Sequence, residues 1–393
     1  MVTSDRAPRA YLDHAATTAM RPASRDAFIE ASMVVGNPGS VHSSGRRARA
    51  VLDEALTSIA EDLDVPRSWV ILTSGGTEAD NLAIRGVARA AAQRDASRTA
   101  VAVCASDHAA VLETARDLGP GLGGREIPVG PDGQLDLEAL RSALAPGDTS
   151  VVSAALVNNE TGARQDFAAI SAIAREHGAL VHTDAVQGIG HADLPEWADV
   201  DLMSMTAHKI GGPVGIGALI VKPEIAVVPG TTGGGQQRGV RPGTLDAAHA
   251  AAFAAALHET LREQDAELAR MRDLAQRLRT GIRAIDPSAR FTLPEAAPQS
   301  GHIVHVLFPG ADSESLLFLL DERGVDASAG SACHAGVTRI SHVLEAMGID
   351  EDLARGSLRL SFGWTSTEQD VDAVLAALPE ALTRSRAVTA LRM

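Results

Sequence analysis

Between residues 50 and 220, short apolar runs take turns with stretches of helical periodicity. The runs are Val70 to Thr73, Ala100 to Cys104, Val151 to Leu156, Leu180 to Thr183 and Ile216 to Val221, and they alternate weakly or not at all between apolar and polar positions. Alternation marks a strand with one wet face, whereas a short run without it marks a strand covered on both faces. Thr77 to Arg94 and Asp166 to His177, lying between runs, have the spacing of helices. Helices interleaved with doubly covered strands predict an α/β fold around a mainly parallel sheet.

Beyond this region the pattern changes. Residues 229 to 244 are rich in Pro and Gly, and a helical pattern then runs from Asp246 to Ile285 with no Gly or Pro between Gly243 and Gly281. A smaller α/β unit follows to the C-terminus, with strands expected at His302 to Phe308 and Leu358 to Phe362. A chain of 393 residues is long enough for about two domains, and the long helix is the natural connector. The net charge of −15 argues against a general nucleic-acid or anionic-membrane binder. No apolar run approaches the roughly 18 residues that span a bilayer, and Met1 to Ala10 carry no apolar core of a signal peptide. With two cysteines, Cys104 and Cys333, at most one disulfide can form. A reduced, cytoplasmic protein is the expectation.

Candidate chemistry gathers at strand ends. Ligands of open parallel sheets bind beyond the carboxyl ends of the strands. At that end stand Ser74-Gly75-Gly76-Thr77-Glu78, Ser106-Asp107-His108, Asn158-Asn159-Glu160, Asp184-Ala185-Val186-Gln187 and Thr206-Ala207-His208-Lys209. Each has a plain reading: the first as an N-cap, His108 and Asp184 as helix caps, Asn159 as a turn residue. Together they place a phosphate-suited turn, a His, an Asn, an Asp and a Lys on one edge. Lys and Arg number 35, yet only Lys209 and Lys222 are lysine, leaving 33 arginines. Arginine cannot form an imine or act as an amine base, so a surviving lysine is a candidate for chemistry. Lys222 reads as a solvated strand end; Lys209 sits in a polar, Gly-rich setting. A lysine for an imine, a carboxylate for a ring nitrogen and donors for a phosphate are what pyridoxal phosphate requires.

The motifs Tyr11-Leu12-Asp13-His14-Ala15-Ala16-Thr17-Thr18, Ser74 to Glu78, Val157-Asn158-Asn159-Glu160, His182-Thr183-Asp184, Ala207-His208-Lys209, Gly233-Gly234-Gly235-Gln236, Arg241-Pro242-Gly243-Thr244 and Gly330-Ser331-Ala332-Cys333 occur in this order. Over essentially its whole length the chain resembles the cysteine desulfurases of the NifS/IscS type, in the fold-type I, class V aminotransferase family. The resemblance implies a large pyridoxal phosphate domain over residues 15–257 and a small domain made of 1–14 and 258–393. It implies that Lys209 joins the cofactor covalently and then serves as base, that Asp184 holds the ring nitrogen, and that Gln187 and Asn159 bond the ring oxygen. His108 would lie on the ring face and move protons. Gly76, Thr77, Thr206 and His208 would cradle the phosphate, with Thr244 reaching it from the other subunit of a homodimer. Arg359 would clamp the substrate carboxylate in a bidentate pair, with Asn37 and Asn159 also on the substrate side.

Cys333 lies among small residues and glycines, unlike Cys104 in its apolar strand, and so reads as a reactive thiolate. The resemblance gives it the role of taking sulfur from L-cysteine as a persulfide, leaving L-alanine. The spacing from Cys333 to Ser341-His342-Val343-Leu344 matches the long-loop, IscS-like group. Sulfur would then pass to an acceptor protein, an iron–sulfur scaffold or a tRNA thiolase, or serve DNA phosphorothioation. No metal site is expected, although Cys333 itself is a candidate transient ligand of an iron–sulfur cluster. A selenocysteine lyase or an aminotransferase of the same fold are the alternatives. His334, Gln237 and Pro242 stand where the family commonly has Thr, an acidic residue and Ser, and Thr206 replaces a Ser with the hydroxyl kept.

Overall fold

The computed structural model describes residues 9–330 and 340–392. After β1 (Ala10–Tyr11), seven strands build the main sheet: β2 (Val70–Thr73), β3 (Ala100–Cys104), β4 (Gly123–Ile127), β5 (Thr149–Ala155), β6 (Leu180–Asp184), β7 (Leu202–Thr206) and β8 (Gly217–Val221). Their spatial order is β2-β8-β7-β6-β5-β3-β4. β8 runs antiparallel to β2 and β7, and the other neighbours pair in parallel. Every residue of β2, β3, β5, β7 and β8 is buried, which is why these runs do not alternate. The sequence reading passed over β4. Its Gly-Gly-Arg-Glu-Ile is an exposed edge strand with one buried residue, so no apolar run marks it.

The stretch Thr77 to Arg94 is helical, but in three pieces: Gly76–Asn81, a π-helical turn at Leu82–Gly86, and Val87–Arg94. The second expected helix is Phe167–Glu176. The uninterrupted pattern after the Pro/Gly-rich loop becomes one helix of 39 residues, Ala247–Ile285. Asp246 caps it, its carboxylate accepting from the N–H groups of Ala248 and His249. Ala250 to Leu257 of this helix lie in the core under the main sheet. Leu268, Met271, Leu274, Leu278 and Ile282 lie in a second core with Ala10, Leu12, Phe308 and Phe362. That second core is roofed by β9 (Arg290–Phe291), β10 (Ile303–Leu307) and β12 (Ser357–Ser361), antiparallel in the order β12-β10-β9, while β11 (Val325–Asp326) pairs with β1.

The expectation for Lys222 is corrected. Its amine is held by the Trp197 carbonyl at 3.1 Å and the Asp201 carboxylate at 3.0 Å, over the Trp69 ring, so it is a paired structural residue rather than a solvated strand end. Gln237 has a structural use as well. Its amide accepts from Leu72 N–H and donates to Leu72 C=O, satisfying one backbone position on the open edge of β2. Cys104 is fully buried, and burial, with the Asp107 carboxylate nearby, pushes its thiol up to about 12.

Candidate active site

At the carboxyl edge of the sheet lies a cleft of about 220 Å³ lined by Gly76, Thr77, Asp80, His108, Asn159, Asp184, Gln187, Thr206, His208 and Lys209, with Ala155, Val157 and Val186 between them. The parallel register creates it. Ala155, Asp184 and Ser204 are aligned across β5, β6 and β7, so the residues that follow each strand emerge side by side. The turn after β2 approaches closely: a Cβ on Gly76 would stand 2.7 Å from Val186 Cγ2, so a larger residue there requires Val186 to shift. The helix that starts at Gly76 turns free N–H groups toward the same cleft, a setting suited to an anion.

Lys209 follows β7 and is bent back by a short 3₁₀ turn. Its amine donates to the carbonyls of Ala15 at 2.6 Å and Ala16 at 2.7 Å. Burial, assisted by the positive charge of Arg359, lowers it to about 8. Asp184 is buried and accepts from Val186 N–H at 2.9 Å; burial raises its carboxyl, while the charges of His108 and Lys209 act the other way. His108 both caps the helix Ala109–Arg116, accepting from Ala110 N–H at 3.1 Å, and lines the cleft. Burial lowers its imidazole below the ordinary range despite the nearby Asp184 carboxylate. His208 bonds Thr17 Oγ1 at 3.2 Å, and burial pushes it down to about 4.

Arg359 stands on β12 and is buried. Its Nη1 donates to Asn159 C=O at 2.8 Å and its Nη2 to Asp13 Oδ1 at 2.7 Å, while its buried Nε has no hydrogen-bond partner. Two of its nitrogens are therefore engaged by the protein itself. Thr244 and Asn37 lie elsewhere: both line a second cleft of about 650 Å³ with Gln236, Arg238 and Arg49. Cys333 and His334 fall outside the described residues. The segment that follows them is anchored to this edge, with Ser341 Oγ donating to the buried Glu160 carboxyl and His342 Nε2 lying 2.8 Å from the Asp107 carbonyl.

Three contributors escaped the sequence reading. Asp80 lines the cleft fully buried, its Oδ1 unpaired and 3.8 Å from His182 Nε2; an acid on the inner face of an otherwise apolar helical stretch was the available signal. The Ala15 and Ala16 carbonyls act through backbone, which no side-chain pattern reveals. His302, just ahead of β10, reaches Gln187 from the second core, a contact made only by the fold.

Residues 10–374 match the family model described as aminotransferase class-V. The chain is 42% identical over 382 residues to an IscS-like cysteine desulfurase of Mycobacterium tuberculosis, with 96% of this chain and 97% of that one covered. A cysteine desulfurase IscS of Methylococcus capsulatus is 36% identical, with 97% and 94% covered. Among solved structures, a NIFS-like protein superposes with a TM-score of 0.88 at 31% identity, covering 96% of this chain and 100% of that one. Likeness over nearly the full length, in both sequence and fold, makes this chain a member of the class-V aminotransferase family, within the part of it that holds the cysteine desulfurases.

Proposed function

We infer that the chain is a pyridoxal phosphate-dependent cysteine desulfurase, converting L-cysteine to L-alanine and retaining the sulfur as a persulfide on Cys333. One observation carries the reading. An amine held near neutrality, a buried carboxyl and an imidazole, those of Lys209, Asp184 and His108, line one cleft whose floor is a close-packed Gly-Gly-Thr turn.

The residues present fit the cofactor. Gly76, Thr77, Thr206 and His208 line the cleft with the N–H groups and hydroxyls that a phosphate takes. Asp184 has one oxygen on Val186 N–H, leaving the other for a ring N–H. Gln187 supplies amide N–H to a ring oxygen. When bound, the cofactor supplies an electron sink for the pair released at the substrate Cα. Lys209, uncharged above about pH 8, is the base that can take the Cα proton. His108, kept neutral by burial, can pass a proton across the cleft. Arg359 offers the substrate carboxylate a guanidinium that must first exchange Asp13. The Cys333 thiolate then takes the substrate sulfur: the S–S bond forms as the C–S bond breaks, and the carbon fragment gains a proton to become alanine. The persulfide is passed to a protein acceptor such as an iron–sulfur scaffold or a tRNA thiolase.

A homodimer completes the site in this reading. Support comes from Thr244 and Asn37, which share a cleft apart from Lys209, and from the exposed apolar side chains of Met33, Val35 and Val41 beside Asn37. Cytoplasmic placement belongs to the same reading; among the described residues no helix is long and apolar enough to cross a membrane.

The test is Cys333→Ser. Persulfide formation from labelled L-cysteine is expected to fall roughly a thousandfold or more, the scale seen when a nucleophile is deleted, while visible absorbance of the bound cofactor stays. Unchanged alanine production in that variant sinks the desulfurase reading in favour of an aminotransferase-like or lyase reaction that does not use Cys333.

A further inference from the structure

Gln187 is held at both ends of its side-chain amide, one of them from the segment that enters β10. Its amide nitrogen donates to Ala15 C=O at 2.7 Å, the same carbonyl that receives the Lys209 amine. Because a carbonyl can only accept, this contact fixes which end of the amide is nitrogen. Its Oε1 is thereby turned to His302 Nε2, 3.3 Å away, and that imidazole nitrogen must carry the proton. His302 belongs to the segment entering β10, and its carbonyl accepts from Phe362 N–H at 2.8 Å, so it moves with the second core and with Arg359 on β12. His191 lies flat against it, ring centroids 3.8 Å apart and planes 9° off parallel, behind the cleft. His302 is buried and His191 partly buried, and His191 Nδ1 and His302 Nδ1, both shielded from solvent, have no hydrogen-bond partner. Burial keeps the pair neutral, pushing His191 down to about 4 and His302 well below its ordinary range.

We propose that His302 is a positioning residue of the desulfurase site: by donating to Gln187 Oε1, and braced by the stacked His191, it locks the Gln187 amide with one N–H on Ala15 and the other presented to the ring oxygen of the cofactor. The proposal rests on the reading of this cleft as a pyridoxal phosphate site. Its physical content is the removal of a rotamer. Without a donor at Oε1, only the Ala15 contact restrains how far the amide turns about its terminal torsion, which is broad. The hydrogen bond is long, and its use is directional rather than energetic. It also ties the cofactor's ring oxygen to the core that carries Arg359, so the substrate clamp and the ring donor are set by one rigid unit.

The experiment uses the holoenzyme. His302→Phe keeps a ring against His191 and removes the donor, and His302→Gln returns a donor. A hydrogen bond to the ring oxygen stabilises its anionic form, so losing it raises the pH midpoint of the bound cofactor's visible absorbance, by about one pH unit. The same rise is expected in Gln187→Ala, no further rise in the double variant, and a return toward the wild-type midpoint in His302→Gln. If His302→Phe does not fold, His302→Met, also without a donor, gives the same reading. A lowered melting temperature with an unmoved midpoint overturns the proposal, as does a His302→Phe rise that adds in full to that of Gln187→Ala. A wild-type protein that takes up no cofactor on Lys209 overturns instead the reading of the cleft, and is seen before any variant is compared.

Discussion

Lys209 illustrates how a residue's setting becomes a reactivity. Two influences favour its uncharged form, burial first and the Arg359 charge second, and they outweigh the carboxylates of Asp13 and Asp184. An amine at about 8 is a usable nucleophile and base where an ordinary lysine at 10.5 is not. The apoprotein should therefore take up pyridoxal phosphate at a rate that rises with pH through about 8 and then levels. In Arg359→Gln one lowering charge is gone, so the midpoint of that rise moves upward. Stopped-flow absorbance reads both, and an unchanged midpoint in the variant would refute the role given to Arg359. Stability carries the same signature. Because the folded value lies below the unfolded one, the unfolded chain holds the extra proton between pH 8 and 10.5, and the apoprotein gains stability as pH rises through that window. Lys209→Met should lack this gain in urea titrations. At this scale much was legible: Lys209, Asp184, His108 and Asn159 were each picked out from strand-end position and residue chemistry, Gln187 through the family resemblance, and the cleft brings them together. Asp80 and His302 were not legible, because a buried acid in a helix and a histidine heading a strand have common structural explanations until their neighbours are known.

Strands buried on both faces declare themselves by lacking alternation, so β2, β3, β5, β6 and β8 could be read from the sequence within a residue or two. The pattern is silent on direction. β8 follows β7 after ten residues and returns antiparallel, and that reversal inserts Gly217 between Thr73 and Thr206, the last residues of β2 and β7. A Cβ on Gly217 would lie 2.4 Å from the Met205 carbonyl oxygen and 2.8 Å from the Gly75 Cα. Both neighbours are backbone, so neither can swing aside, and relief must come from displacing the turn at Gly75 and Gly76. Gly217→Ala should cost about 1–3 kcal/mol of stability, the usual range for overpacking. It should also weaken cofactor binding more than an equally destabilising change remote from the turn. Thermal melts with and without pyridoxal phosphate measure the two effects, and a variant whose cofactor-induced stabilisation equals that of the wild type would show the turn had not moved. The edge strand β4 marks the limit of the method, since a sequence with one buried residue in five carries no periodic signal.

At the scale of the molecule, a site lined mostly from one core takes Arg359 and His302 from the other, and the helix Ala247–Ile285 runs through both. The absence of Gly and Pro was enough to predict its continuity; what the continuity accomplishes needed the fold. Between its two buried segments the helix grips the loops that join the cores. Thr260 Oγ1 donates to Ile210 C=O at 3.0 Å, beside Lys209, and Glu263 holds the buried Arg21 at 2.8 Å. Arg21 in turn lies 5.4 Å from the Trp364 ring, and Trp364 Nε1 donates to Ala19 C=O at 2.8 Å. Rigid coupling of the cores thus depends on an intact helix axis at residues 258–267 more than on any single contact. Ala266 is exposed there, so a substitution at it acts through the backbone alone. Ala266→Pro removes a helical hydrogen bond and clashes with the preceding turn, at about 3 kcal/mol. If the helix is what sets Arg359 and His302 against the cleft, urea unfolding of this variant should separate into two transitions. Its KM for L-cysteine should also rise several-fold, and the pH at which Lys209 takes up the cofactor should move upward as the Arg359 charge is displaced. A single cooperative transition at the wild-type midpoint would show that the cores are coupled by their direct contacts, with the helix merely passing between them.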